Sequence, residues 1–216
     1  MPHIDPGSRL DAWLCTIAQS DASDLHIGAF RRPMMRISGV LEPIEESILS
    51  PEETAELLLP IVPAHRRKDL DELGSCDFAI EHGEDRYRVN VFRQRQTYAM
   101  VCRRVPKSRL TFDQIGAPPV LRALAHLPRG LILVTGPTGS GKTTTLAACI
   151  HEINEQRAEH IVTMEDPIEF LHESIRAVVD QREVGDDVSS FSEGLRRVLR
   201  QDPDVILLGE MRDLET

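Results

Sequence analysis

Long apolar runs are missing from this sequence of 216 residues. No stretch approaches the roughly 18 consecutive apolar residues that a membrane span needs. Met1 to Leu10 is polar, contains two prolines and lacks the apolar core of a signal peptide. The expectation is a cytoplasmic chain, with a peripheral role at a membrane left open. Cysteine is scarce and scattered: Cys15, Cys76, Cys102 and Cys149 form no CxxC pair. Their spacing argues against a metal site or a disulfide framework and for a reducing compartment. Positive charge is in deficit as well, with a formal net charge of -10. Phosphate backbones are bound by clustered Lys and Arg, so the surface as a whole is no nucleic-acid platform, although a local basic stripe is compatible with that balance. Internal repeats and low-complexity segments are lacking too.

What remains is ordinary globular material, 41% apolar and 28% charged, enough for one large domain or two small ones. Leu10, Trp13, Leu14, Ile17 and Ala18 recur at helical spacing. Asp24 to Ile27 and Met34 to Leu41 read as short strands, the second bent at Ser38-Gly39. Ser50-Pro51-Glu52-Glu53 is a helix start with a Ser cap and a Glu three residues on. A helix over Ala64 to Leu73 stops at Gly74. Phe78 to Val105 reads as antiparallel strands, with Tyr87, Val89 and Val91 alternating against Arg88 and Asn90. A small α+β domain over 1–106 follows. A linker spans 107–117, and a helix is expected at Val120 to Leu127.

From 118 to 216 the rhythm is β-α-β. Leu131 to Thr135, Ile161 to Met164 and Val205 to Leu208 suit buried parallel strands, and Leu146, Ala147, Ile150 and Ile153 mark a helix after the first. The chain stops a few residues after the third of these strands. That is early for a doubly wound sheet, so a fragment is expected.

Gly136-Pro137-Thr138-Gly139-Ser140-Gly141-Lys142-Thr143 fits G-x-x-x-x-G-K-[ST] between a predicted strand and a predicted helix. Such glycines let backbone N–H groups turn inward around phosphates, and the helix N-terminus adds partial positive charge. Lys142 would reach the β and γ oxygens of ATP, and Thr143 would give its hydroxyl to Mg²⁺; Thr144 adjoins them. Val205 to Gly209 is an apolar strand followed by Glu210, which would orient and activate an attacking water. Glu165, Asp166 and Glu169 follow another apolar strand and would support Mg²⁺ through its waters, with Glu165 the leading candidate. Arg196 and Arg200 lie one helical turn apart, and Arg212 follows Glu210 by two. Such arginines commonly form a solvated face; they also neutralise charge on a transferring phosphoryl group. From Arg86 to Arg109 there are eight basic residues and no acid. A solvated strand face, a nucleic-acid surface with Tyr87 and Tyr98 stacking bases, and arginines presented to a nucleotide are the three readings of that stripe.

Taken together, these segments resemble the PilT-type retraction ATPases of type IV pili, within the secretion ATPase superfamily. The resemblance rests on Ser23 to His26, Arg86 to Asn90, Arg129 to Thr143, Met164 to Phe170, Gln181 to Val184 and Leu199 to Asp213. It implies a PAS-like N-terminal domain joined to a partial RecA-like P-loop NTPase domain with a mainly parallel sheet. It also implies ATP and Mg²⁺ as cofactors, homo-hexameric rings, and an inner-membrane platform protein as partner. Residue by residue, it implies Walker A at Gly136 to Thr143, catalytic Glu210 in Walker B, and an acidic box from Thr163 to Glu169. Arg88 and Arg103 match arginines that lie near the nucleotide, and Arg196, Arg200 and Arg212 match others of the ATPase domain. The weight for the basic stripe thereby shifts away from nucleic acid. A pilus-assembly or type II secretion ATPase is the nearest alternative, and a non-hydrolysing nucleotide-binding fragment is the next. The family's histidine-containing motif and C-terminal helical region would follow Thr216.

Overall fold

Residues 4–107, 109–211 and 214–216 are described in a computed structural model, within which the chain divides into two compact units, Met1–Val105 and Pro106–Thr216. In the first unit, helix α1 (Arg9–Ala18) starts where the Ser8 hydroxyl accepts the Asp11 N–H at 3.2 Å. Leu10, Trp13, Leu14 and Ile17 bury one face of it. Strand β1 (Ala22–Gly28) follows. The bend expected at Ser38-Gly39 is a full hairpin turn joining β2 (Met34–Ile37) to β3 (Val40–Pro43). Both turn residues have positive φ, 49° and 87°, so Ser38 accepts a conformation that Gly39 takes without strain.

The predicted helix start is a complete capping box at α2 (Pro51–Leu58). Ser50 Oγ accepts the Glu53 N–H at 3.1 Å, and Glu53 Oε2 accepts the Ser50 N–H at 2.7 Å. Helix α3 (Ala64–Glu72) ends just before Gly74, whose φ is 80°. Then β4 (Ser75–His82), β5 (Asp85–Gln94) and β6 (Thr97–Val105) complete a six-stranded sheet in the order β3-β2-β1-β6-β5-β4, antiparallel throughout. Alternation along β5 sends Tyr87, Val89 and Val91 into a core shared with Leu10, Leu14, Ile17 and Leu58, and leaves Arg88 on the other face.

In the second unit, α4 (Pro119–Ala125) and α5 (Lys142–Gln156) precede a parallel sheet. That sheet has β7 (His160–Glu165) at its centre, β8 (Val178–Glu183) on one side and β9 (Val205–Leu208) on the other. Helix α6 (Phe191–Val198) lies between β8 and β9 in sequence and packs on β7. A Cβ on Gly194 would stand 2.7 Å from Met164 Sδ, so the helix approaches the strand as closely as it does because this residue has no side chain. The apolar face of α5, with Ala148, Ile150 and Ile153, packs with Ile161, Ala177 and Phe112.

Two expectations need correcting. Leu131 to Thr135 is not a buried strand: it has no strand assignment, and Leu131 and Leu133 are 81% and 58% exposed. The reason is one of pairing. No described strand ladders to 131–135, and an apolar run without a hydrogen-bonding neighbour does not make a strand. Conversely, β8 was not foreseen, because Val178-Val179-Asp180-Gln181-Arg182-Glu183 is too polar to read as a buried run. It holds its place by pairing with β7 from His160↔Val178 to Glu165↔Glu183. Taken as a whole, the fold is of the expected α/β class.

Candidate functional site

The loop 136–141 turns on its glycines. Gly139 has φ 79°, and Gly141, which directly precedes α5, has φ 86°; both values lie in the left-handed region. Gly136 is tight for another reason, since a Cβ there would stand 2.6 Å from Ser140 Oγ. No side chain caps the N-terminus of α5. Its first-turn N–H groups are the donors that an oxyanion at the loop would use, with the helix dipole behind them. Lys142 Nζ donates to the carbonyls of Gly136 and Pro137, each at 2.9 Å. The ammonium group thereby closes the loop on itself and stands beside the space its backbone encircles. Pro137, Thr138, Gly139 and Ser140 are exposed, while Thr143 and Thr144 are half-buried in the first turn of the helix.

The second cluster forms at the carboxyl ends of the parallel strands. Glu165 ends β7 and is only 8% exposed. Its Oε1 accepts from the Thr163 hydroxyl at 2.7 Å and from Gln181 Nε2 at 3.2 Å. Burial pushes its carboxyl above the ordinary range; these two donors oppose that without cancelling it. Gly209, just beyond β9, donates its N–H to the Met164 carbonyl at 2.8 Å. A Cβ on Gly209 would lie 3.3 Å from Glu165 Cα. This close approach places Glu210 next to the end of β7, so the structure brings two of the three proposed metal residues, Glu165 and Glu210, to one strand end.

Glu183 and Gln181 were part of a recognised motif but carried no assigned role. Glu183 is buried directly opposite Glu165 in the ladder, and its Oε2 accepts the Ile168 N–H at 3.1 Å. Gln181 bonds Glu165 and also donates to the Phe170 carbonyl at 2.8 Å while accepting the His172 N–H at 2.7 Å. It therefore locks the acidic segment to β8. Only the parallel pairing reveals this, because 16 residues separate Glu165 from Gln181. Asp166 and Glu169 are exposed and remain solvated acids on the turn.

The arginines separate. Arg88 and Arg103 face each other directly across β5 and β6, both exposed. Arg103 Nε donates to Asp24 Oδ1 at 2.7 Å. Burial of Asp24 opposes its ionisation, yet the Ser23 hydroxyl and the Arg103 guanidinium hold its carboxyl below the usual range. Arg103 is thus a fixed cation on the sheet. Arg196 is exposed on α6, whereas Arg200 lies two residues past the helix, in the turn after Leu199, and not on the helix as its spacing suggested. Arg212 lies outside the described residues.

A phosphate loop closing onto a helix N-terminus, with carboxylates at the ends of a parallel sheet in the same unit, is the arrangement of P-loop proteins. The chain belongs to the type II/IV secretion system protein family, whose model matches residues 8–216. It is 47% identical over 200 residues to the type IV pilus retraction ATPase PilT of Pseudomonas aeruginosa, covering 92% of this chain and 58% of that protein. It is 39% identical over 223 residues to type II secretion system protein E of Aeromonas hydrophila, covering 96% and 43%. Among solved structures, that of the pilus retraction motor PilT with bound ADP superposes with a TM-score of 0.87 at 42% identity, over 97% of this chain and 62% of that one. The Legionella pneumophila ATPase DotB superposes with a TM-score of 0.80 at 28% identity, over 99% and 63%. The chain therefore spans about half the length of the curated relatives it matches.

Proposed function

We propose that this chain binds ATP with Mg²⁺ at the loop 136–143 and forms the nucleotide-handling part of a motor that retracts type IV pili. The carrying observation is the juxtaposition of buried Glu165 with Gly209-Glu210 in the unit that presents Lys142 at a helix N-terminus. In the proposed reaction, water attacks the γ-phosphorus in line, the bridging P–O bond breaks, and ADP leaves. Glu210 takes the proton of the attacking water. Lys142 leaves its two carbonyl partners for the β and γ oxygens and stabilises the charge developing there. Gly136 and the residues from Thr138 to Thr144 supply backbone donors, Pro137 having no N–H. The donor set of the Thr143 hydroxyl with the Glu165 and Glu210 carboxylates is all hard oxygen, which suits Mg²⁺ and its retained waters. A buried carboxyl that resists ionisation, as Glu165 does, becomes favourable once a cation stands near it. When bound, the ion would neutralise phosphate charge.

The same reading gives Arg88, Arg103, Arg196, Arg200 and Arg212 as cations for the nucleotide, the first two from a PAS-like domain. It also places the working protein as a homo-hexamer in the cytoplasm, at the inner membrane, against a pilus platform protein. Higher identity to the retraction ATPase than to the secretion protein favours retraction over secretion. Nucleic acid has no part in it. The test is nucleotide binding by fluorescence and phosphate release by this chain, its Lys142→Ala and its Glu210→Gln variants. Loss of binding in the first, and retained binding with at least about 100-fold slower turnover in the second, is expected. Undiminished nucleotide binding by Lys142→Ala would remove the site.

A further inference from the structure

Far from the phosphate loop, in the first unit, three side chains of different chemistry converge. Asp11 and Cys15 sit at i and i+4 on α1 and so share one helical face. His82 ends β4, at the hairpin into β5. One donor atom from each, an oxygen, a sulfur and a ring nitrogen, lies within 4.8 Å of the other two, and all three residues are half-buried. His82 Nε2 donates to Asp11 Oδ1 at 2.7 Å, while the Gly7 N–H donates to Asp11 Oδ2 at 2.9 Å and fixes the carboxylate's orientation. The supports are rigid: Leu10 and Leu14 of the same helix are fully packed in the core, and the helix is capped.

We propose that Asp11, Cys15 and His82 form a binding site for a borderline-soft divalent cation, with Zn²⁺ the natural occupant. Tetrahedral zinc with bonds of about 2.0–2.3 Å sets its donors roughly 3.3–3.8 Å apart, so the Asp11–His82 pair opens by about 0.6 Å from its 2.7 Å and no donor has to close by more than about 1.5 Å from within 4.8 Å. The ion takes the place of the Nε2 hydrogen of His82, whose neutral ring then carries its one hydrogen on Nδ1, and of the thiol proton of Cys15, which passes to solvent. Half-exposure leaves the fourth position to water. A thiolate and an imidazole select zinc over Mg²⁺ and Ca²⁺, whose preferred donors are all oxygen. The Gly7 N–H acts as the outer partner that orients a ligating carboxylate. The ion would tie α1 to the β4–β5 hairpin more firmly than the present contacts, which are core packing, the His82–Asp11 hydrogen bond and the Tyr87 hydroxyl on the Leu14 carbonyl at 3.4 Å. Cysteine spacing argued against any metal site, and the reason it misleads here is that a single cysteine recruits two ligands of other types, one from 67 residues away in sequence as the numbers 15 and 82 show.

The experiment uses the untagged chain, stripped with chelator and then titrated with Zn²⁺ alone and, separately, with Co²⁺ alone. One equivalent of Zn²⁺, competed by Co²⁺ with a thiolate-to-cobalt absorption band, is expected. Zn²⁺ should also raise the thermal midpoint. Cys15→Ser should abolish the band and weaken Zn²⁺ binding by about 100-fold or more, exceeding the roughly 10–100-fold that outer partners cost. The band should be perturbed or lost in His82→Gln. Cys15→Ser is nearly isosteric and decides the matter if His82→Gln does not fold. Absence of a saturable equivalent, or binding unchanged in Cys15→Ser, overturns the proposal.

Discussion

Thr163 and Gln181 both donate to Glu165, yet burial still keeps its carboxyl above the ordinary range. A carboxyl raised in the folded state contributes most to stability below its unfolded value. That contribution is lost as pH rises through the folded value. Glu165→Gln keeps an oxygen to accept both bonds and removes the charge. The variant is therefore expected to melt higher than the parent at pH above the raised folded value, with the difference closing as pH falls through that value and gone below about 4.5. Its ATP turnover is expected to fall on the order of 100-fold. A variant no more stable than the parent at alkaline pH would show that burial does not strain this group. His172 responds in the opposite sense. Burial, with His151 nearby, pushes its ring down to about 4, and its buried Nδ1 has no hydrogen-bond partner among the described residues. The folded chain holds the ring neutral, so stability is full above the unfolded value and declines as pH falls from 6.5 towards about 4. Roughly 2 kcal/mol should be gone by about pH 5. Thermal melts of His172→Gln should lack most of that acid-side slope; an unchanged slope would assign it to other groups.

Local chemistry accounts for single elements as well. The reciprocal bonds of Ser50 and Glu53 satisfy two donors that α2 would otherwise leave to water. Ser50→Ala should destabilise the chain by about 1 kcal/mol in denaturant titration, and an effect near zero would mean that packing of Leu58 alone holds the helix. Helices α1 and α5 were legible from their apolar period, α2 from its capping box and α3 from the glycine that follows its end. Strand β5 was legible because one face is buried and the alternation is clean, and β6 because Met100 and Cys102 keep the period although Ala99 is buried beside them. The phosphate loop was legible because its meaning lies in consecutive residues. What escaped depends on distant partners. Strand β8 carries too little apolar surface to announce itself, and so the roles of Gln181 and Glu183 beside Glu165 stayed hidden with it. The apolar run 131–135 erred the other way: composition fits a strand, but a strand also needs a neighbour to bond. The same dependence hid the meeting of Asp11 and Cys15 with His82.

Across the whole molecule the two units differ in how well they cover their apolar surface. In Met1–Val105 a continuous cluster runs from Leu10 and Leu14 through Leu25 and Ile27 to Tyr87, Val89 and Met100, nearly all of it fully buried. In Pro106–Thr216 the core is split into two smaller clusters, one around Ile161 and Ala148 and one around Met164 and Val198. Among the described residues ten large apolar side chains stand exposed here, Leu131, Leu133, Val178, Leu199 and Leu214 among them, against five in the first unit, Phe30, Val40, Leu41, Ile48 and Leu73. Each apolar side chain left in water forgoes roughly 1.5–3 kcal/mol that burial would contribute, so the second unit has the smaller margin. Produced separately, residues 1–105 should unfold in one cooperative transition, followed by circular dichroism. Residues 106–216 should melt at a lower temperature and bind an apolar-surface dye such as ANS already in the native state. Strong dye binding by 1–105, or a higher midpoint for 106–216, would show that exposed apolar area is not what divides the two.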